Sequence, residues 1–570
     1  MRDGTRLHTL IFTPKQAAGK LPFLLQRTPY GLDYLQSFEQ QEYTRDLATE
    51  GYYFVFQDIR GRYGSEGTFV MLRPARDRRN PRAVDEASDT YDTIEWLLHH
   101  VPNNNGRAGI FGISYDGALA AADPHPALKA VSEQASPADM FLNDDFHHNG
   151  AFRLSYGFEY CFMTETGKRD TLYQFPAFDL YDWYLGLGSL STVNRQYAHE
   201  RLPTWNNFVA HPNYDAYWQQ QALPARFNYP RVPIQHVGGW YDQEDAVGPQ
   251  TLYHTLEARD PRHRNYLVMG PWNHGGWARA GGASLGALQF GTPTATHFQQ
   301  QLQAPWFAYH LKGKGDGHFA EATTFQTGRN RWQAYPAWPP PAAQAQRLYL
   351  RAGGRLSFEA PPTSEPQPFA SYVADPARPV PYRAQPIEET YGPYSRWRTW
   401  LTEDQRPFAS RPDVLCWQTD TLTAPLTVTG NLLASLCAAT TGTDADWVIK
   451  VIDVYPARYQ QDLKLSGYQQ LVAADVLRAR FRRSLSQPAA LVPGQVETYS
   501  LDLHGLDHVF LPGHRLMVQV QSSWFPLIDR NPQRYVPNIY EANSTDFQPA
   551  TQRVYQSAEF PSCLVLPVMP

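Results

Sequence analysis

The chain has 570 residues with 50 Lys and Arg against 55 Asp and Glu, a net charge of −5. At roughly 150 residues per domain this length gives about two to four domains, each able to bury a core without disulfide or metal staples, and four scattered cysteines without a CxxC pair exclude a disulfide scaffold or zinc ribbon. The charge balance excludes a basic field for nucleic acid, no apolar run approaches the roughly 18 residues of a spanning helix, and 14% aromatics with 47 prolines fit a loop-rich, pocketed globular protein.

The opening residues MRDGTRLHTL contain no apolar signal-peptide core, which leaves localisation unassigned and an upstream leader or arm open. Segments 21–26, 52–58 and 108–113 carry short buried-strand patterns. Over 84–100, Tyr91, Ile94, Leu97 and Leu98 recur at three- and four-residue steps, which predicts a helix. Strand–helix alternation over 1–138 predicts a parallel sheet covered by helices. The pattern resumes over 229–338, with strands at 232–237 and 266–269 and a helix at 296–311. Between the two halves, 19 of the 84 residues from Asp139 to Ala222 are aromatic. We expect 139–228 to be a mostly helical insertion that caps the carboxyl ends of the strands, where open α/β sheets bind ligands. Residues 339–346 (PPPAAQAQ) read as a linker. Short β-rich runs at 347–350, 426–429, 447–454, 515–521 and 563–568 predict an all-β domain over 347–570, two packed sheets of the sandwich or jelly-roll type.

Gly112-Ile113-Ser114-Tyr115-Asp116-Gly117 directly follows the 108–113 strand and reads as a nucleophile elbow, the strained strand-to-helix turn of the Gly-x-Ser-x-Gly type. A second match around Ser284 follows an irregular Gly/Ala-rich stretch and reads as a decoy. The serine needs a base, and the base an orienting carboxylate, in the chain order Ser, Asp or Glu, His. The 232–237 strand runs into Asp242, Gln243, Glu244 and Asp245, and the 266–269 strand into His274. Asp242 and His274 are therefore the expected partners of Ser114, with Glu244 and Asp245 as close competitors for the carboxylate role. Acidic residues not engaged by the histidine would repel carboxylate substrates and attract an ammonium group. Tyr30, just past the first strong strand, stands where α/β-hydrolases place an oxyanion donor, to act with the backbone N–H of Tyr115; spacing alone leaves an ordinary half-buried tyrosine equally open. The His147-His148 pair has no third partner at ligand spacing, so no metal is expected, and the arginines of 73–82 read as a solvated loop.

At these residues the sequence resembles the α-amino acid ester hydrolases, relatives of cocaine esterase and the X-prolyl dipeptidyl peptidases. The resemblance runs through Arg27-Thr28-Pro29-Tyr30, the stretch from Asp58 to Gly67, Asn143-Asp144-Asp145-Phe146-His147, Trp240 to Asp245, Gly270-Pro271-Trp272-Asn273-His274, Thr443 to Trp447 and Ser523 to Pro532, essentially the whole chain. It implies an α/β-hydrolase fold with an inserted helical cap and a C-terminal all-β jelly-roll domain, Ser114, Asp242 and His274 as a catalytic triad, and Tyr30 with Tyr115 as the oxyanion hole. It further implies Asp145, Glu244 and Asp245 as a carboxylate cluster for the substrate's α-ammonium. By resemblance the protein is a homotetrameric serine esterase and acyltransferase that needs no cofactor. Its partners are small molecules, α-amino acid esters and β-lactam amines, not nucleic acid or membrane. The alternatives within the superfamily are an X-prolyl dipeptidyl peptidase and a broad carboxylesterase. The segment Gly117 to Ala122 departs from the family's pattern in being about one helical turn short.

Overall fold

Alternating burial builds the first layer of the computed structural model, which describes all residues except 17–18, 34, 36–41, 72, 78, 81, 115–122, 228 and 280. Strands β1 (Thr9–Phe12), β2 (Leu21–Thr28), β3 (Tyr53–Asp58), β4 (Asn104–Ile113), β5 (Leu128–Gln134), β6 (Ile234–Gly239), β7 (Asn265–Gly270), β8 (Ala322–Gln326) and β9 (Arg331–Tyr335) form one sheet in the order β1-β3-β2-β4-β5-β6-β7-β8-β9. Its seven inner strands are parallel, and β1 and β9 pair antiparallel at the edges. Phe23, Leu25 and Val55 face helices Glu86–His100 and Gly248–Glu257; Leu24, Phe54 and Phe56 face helix Ala304–Lys312. Successive side chains of a strand point to opposite faces, so covering both faces requires the near-continuous apolar runs by which 21–26 and 52–58 were recognised.

β5 was not expected. Its sequence LKAVSEQ looks polar, yet Ser132, Glu133 and Gln134 are buried with partners: Gln235 and His236 of β6 meet Ser132 and Glu133, the latter at 2.5 Å, and the Tyr43 hydroxyl and Trp277 indole N–H donate to Gln134 Oε1. The helix expected at 296–311 is three pieces, Thr294–His297, a π-helical Phe298–Gln303 and Ala304–Lys312. Pro305 supplies no N–H to continue an unbroken ladder. The linker composition gives way to strand Gln344–Arg351, whose exposed polar start pairs with Cys563–Val568. The shortened segment after Ser114 lies outside the described residues.

The insertion places helix Leu154–Glu165 at its centre, with shorter helices such as Pro203–Ala210 and a two-residue hairpin, His147–His148 with Ala151–Phe152, around it. Its aromatic side chains do not form a core of their own; Phe152, Phe158, Trp205 and Phe208 belong to one cluster with Val448, Ile452, Leu471, Trp524 and Tyr540 of the C-terminal domain. That domain is all β, eleven strands in one hydrogen-bonded set. Strand Asp446–Val454 is buried almost throughout, with Trp447, Ile449 and Val451 in the domain's own core and Val448 and Ile452 in the cluster shared with the cap.

A buried charge cluster fastens this joint. Arg478, 1% exposed, forms 2.9 Å and 2.7 Å ion pairs with Asp446 and Asp529, and Asp529 Oδ1 accepts the N–H of cap residue Phe152 at 3.0 Å. Removing one partner of a buried pair strands the other charge at a cost of about 3–5 kcal/mol. Arg478→Met is expected to lower unfolding stability by that order in denaturant titration; a loss below about 1 kcal/mol would place the cluster in a far wetter environment.

Candidate active site

Four parallel strands end at one edge and deliver the expected residues there. Tyr30 follows β2, Ser114 follows β4, and the turns carrying Asp242 and His274 follow β6 and β7. The strict Gly-x-Ser-x-Gly spacing is met at Ser284 and not at Ser114, whose second glycine falls one residue late at Gly117. Backbone conformation separates the two. Ser114 has φ 66°, a left-handed conformation that a side chain adopts at a cost of about 1–2 kcal/mol, whereas Ser284 sits exposed in a two-residue hairpin strand.

The Asp242 and His274 turns touch backbone to backbone. A Cβ on Gly239 would lie 2.1 Å from the Trp272 carbonyl oxygen, so only glycine permits the approach, and Tyr241 N–H donates to that oxygen at 3.0 Å. Asp242 Oδ1 accepts the N–H groups of Glu244 and Asp245, both at 2.9 Å, which fixes its carboxylate. His274 Nδ1 lies 3.0 and 3.1 Å from the two Asp242 oxygens, against 3.9 Å from Asp245 Oδ2. His274 Nε2 faces Glu244 Oε2 at 3.4 Å. The Ser114 hydroxyl donates to Asp245 Oδ2 at 3.5 Å, and among the described residues no hydrogen bond joins Ser114 to His274.

Asp145 reaches the same place from the cap. It and Asp245 are buried, and each has one oxygen, Oδ1, without a hydrogen-bond partner. Burial pushes the Asp145 carboxyl up to about 6, with Arg153 opposing and Glu244 adding to the rise. Burial raises Asp245 well above the carboxylate range, and Asp145, Asp144, Asp242 and Glu244 reinforce it. Burial would lower His274, but Asp242 and Glu244 outweigh it and lift the imidazole to about 9. The Tyr30 hydroxyl is 2.8 Å from that of Tyr160; Tyr115 lies outside the described residues. His147 packs on Phe141 and reaches Tyr540, and His148 faces Asp475 at 2.7 Å, so both histidines are engaged within the protein.

Sequence reasoning missed the residues that hold Glu244. The Trp397 indole N–H donates to Glu244 Oε1 at 2.8 Å, and Gln243 Nε2 donates to the same oxygen at 3.0 Å. Arg153 bonds the carbonyls of Gln243 and Glu244. Trp397 comes from an irregular strap of the all-β domain with no periodicity to mark it, and its partner lies 153 residues away. Behind the Asp242–Glu244 turn, Trp240, Trp400, Leu471, Trp524 and Ile528 line a cavity of about 120 Å³.

Two family descriptions match the chain: X-Pro dipeptidyl-peptidase (S15 family) over residues 3–276, and X-Pro dipeptidyl-peptidase C-terminal non-catalytic domain over 312–565. The cocaine esterase of Rhodococcus sp. (strain MB1 Bresler) is 29% identical over 597 aligned positions, covering 100% of this chain and 97% of that protein. An α-amino acid ester hydrolase of known structure is 41% identical with a TM-score of 0.94, and an aminopeptidase from the marine sediment archaeon Thaumarchaeota archaeon is 40% identical with a TM-score of 0.96. Both matches cover 100% of this chain and 95% of the other.

Proposed function

The chain belongs to the X-Pro dipeptidyl-peptidase (S15) family of serine hydrolases, and from that premise we propose that it cleaves esters of α-amino acids through an acyl-enzyme. His274 Nε2 takes the Ser114 proton as Oγ attacks the ester carbonyl carbon. The Tyr30 hydroxyl and the Tyr115 N–H stabilise the oxyanion, and Asp242 holds the imidazole and balances its charge. On collapse the carbon–oxygen bond to the alcohol breaks, His274 returns the proton to the departing oxygen, and the acyl group stays on Ser114. Water then releases the acid, or the amine of a β-lactam nucleus takes the acyl group. Asp145, Glu244 and Asp245 bind the α-ammonium.

The observation that carries this reading is the 3.5 Å separation of Ser114 Oγ and Asp245 Oδ2. An α-ammonium lies within one residue of the attacked carbonyl, whereas a dipeptidyl substrate carries its ammonium one residue further, about 3.3–3.6 Å when extended. A carboxyl group this near the nucleophile therefore favours the amino acid ester. The similarity to an aminopeptidase supports a second reading, cleavage of an amide that likewise follows a single free-amine residue.

Rates on phenylglycine methyl ester, methyl phenylacetate, phenylglycine anilide and Gly-Pro-anilide separate the possibilities. We expect the amino ester to exceed its desamino analogue by about 10–100-fold in kcat/KM, the worth of a charged hydrogen bond. Equal rates would exclude the ammonium site, fastest turnover of Gly-Pro-anilide would establish a dipeptidyl peptidase, and fastest turnover of phenylglycine anilide an aminopeptidase.

A further inference from the structure

Hydrogen-bonding capacity limits what the catalytic pair can do in the arrangement seen. A carboxylate only accepts. His274 Nδ1 is hydrogen-bonded to Asp242 at 3.0 Å and Nε2 stands at ion-pair distance, 3.4 Å, from Glu244, so carboxylates flank both ring nitrogens and favour the imidazolium. An imidazolium cannot take the serine proton. The Ser114 hydroxyl has one hydrogen to donate, and it is directed to Asp245. Each member of the reacting pair is thus engaged by a different carboxylate of the cluster.

We propose that Glu244 and Asp245 form a latch that keeps Ser114 and His274 apart, and that the substrate's α-ammonium opens it by taking both carboxylates, making the amine an activator of the reaction as well as its anchor. This rests on the roles assigned above to Ser114, His274 and the carboxylate cluster. An ammonium offers three donors, and the cluster offers the Glu244 carboxylate together with the unpartnered Oδ1 atoms of Asp145 and Asp245. Once it is seated, Asp245 no longer needs the serine hydrogen, and Glu244 is neutralised by a second cation. That cation lies beside the imidazolium and favours its loss of a proton.

The groups facing His274 are consistent with such control. Asp242, Glu244 and Asp245 approach from the turn after β6 and Asp145 from the cap. Arg153 opposes the charge of Asp145, and Arg279 feels the charges of Glu244 and Arg398. The imidazole lifted to about 9 is the expected companion of the latched arrangement. A desamino ester cannot open the latch, so it meets an enzyme whose base is mostly protonated at neutral pH.

The test supplies the ammonium separately from the ester. Methyl phenylacetate hydrolysis is measured at pH 7 with and without millimolar methylammonium, reading release of phenylacetic acid so that aminolysis is not counted. Methylammonium is expected to raise the rate, by about tenfold for each unit by which the His274 pKa falls, and to move the alkaline rise of kcat/KM to lower pH. Glu244→Gln is expected to hydrolyse methyl phenylacetate faster than the parent at pH 7 and to lose the methylammonium response. If methylammonium leaves the rate unchanged or inhibits, while phenylglycine methyl ester remains strongly preferred, the latch is overturned and the ammonium site stands. If the amino ester is not preferred, the cluster assignment falls and the latch with it.

Discussion

Ser114→Ala is expected to lower kcat/KM for phenylglycine methyl ester on the order of a million-fold, the scale on which loss of a triad nucleophile acts, and to abolish the acyl-enzyme adduct in intact-protein mass spectrometry. The substitution isolates the hydroxyl, because alanine meets the same backbone at φ 66° that serine does. A Ser114→Gly variant separates chemistry from strain. It should be equally inactive yet more stable than Ser114→Ala by about 1–2 kcal/mol, since glycine enters the left-handed region without the Cβ penalty. Retained activity in either variant, or an adduct that persists, would move the nucleophile elsewhere. Equal stabilities would mean that the elbow stores no strain.

The second large effect concerns the cluster. Asp145→Asn combined with Asp245→Asn should reduce kcat/KM for the amino ester by about 10–100-fold, the whole of the expected amine preference, because the two charged hydrogen bonds serve one ammonium and are not additive. Methyl phenylacetate should lose little, so the preference for the amine should collapse. Both aspartates are buried with an unpartnered oxygen, and burial first, then repulsion from Asp145, raises the proton affinity of Asp245. The variant should therefore melt no lower than the parent, as expected when function rather than folding retains like charges at close quarters. Parallel losses on both esters, or a sharply lowered melting temperature, would assign the two residues a structural role.

The latch and the cluster share residues but separate in these measurements. Neutralising Asp145 and Asp245 removes the amine's anchor, whereas Glu244→Gln acts on the group nearest His274 Nε2, so the rate on the desamino ester should rise most where Glu244 is changed. Trp397 and Gln243 both donate to Glu244 Oε1, which leaves Oε2 to face the imidazole.

Much of the first domain was legible in the sequence because its strands are buried on both faces and read as apolar runs, and because Ser114, Asp242 and His274 follow the recognisable strands β4, β6 and β7. β5 escaped for the opposite reason. Its buried Ser132 and Glu133 meet partners on β6 about a hundred residues away, and Gln134 meets Tyr43 and Trp277, which no local pattern reveals. Strand context favoured Ser114 over Ser284 although the strict spacing is met at Ser284, and the left-handed φ of 66° belongs to Ser114.

Asp145, Trp397 and the bond partners of Ser114 and His274 belong to a different class of fact. Three chain segments, from the hydrolase sheet, the cap and the strap of the all-β domain, meet around Glu244, and the cap is held by an apolar cluster and a buried ion-pair network shared with the C-terminal domain. The sequence by itself determined the layer order, the residue types available at the strand ends and the excess of acid beside the nucleophile. Which carboxylate orients the histidine and which ones face the serine was decided by tertiary structure. Electrostatic coupling falls steeply with distance and rises with burial, and neither quantity is contained in the spacing of residues along a chain.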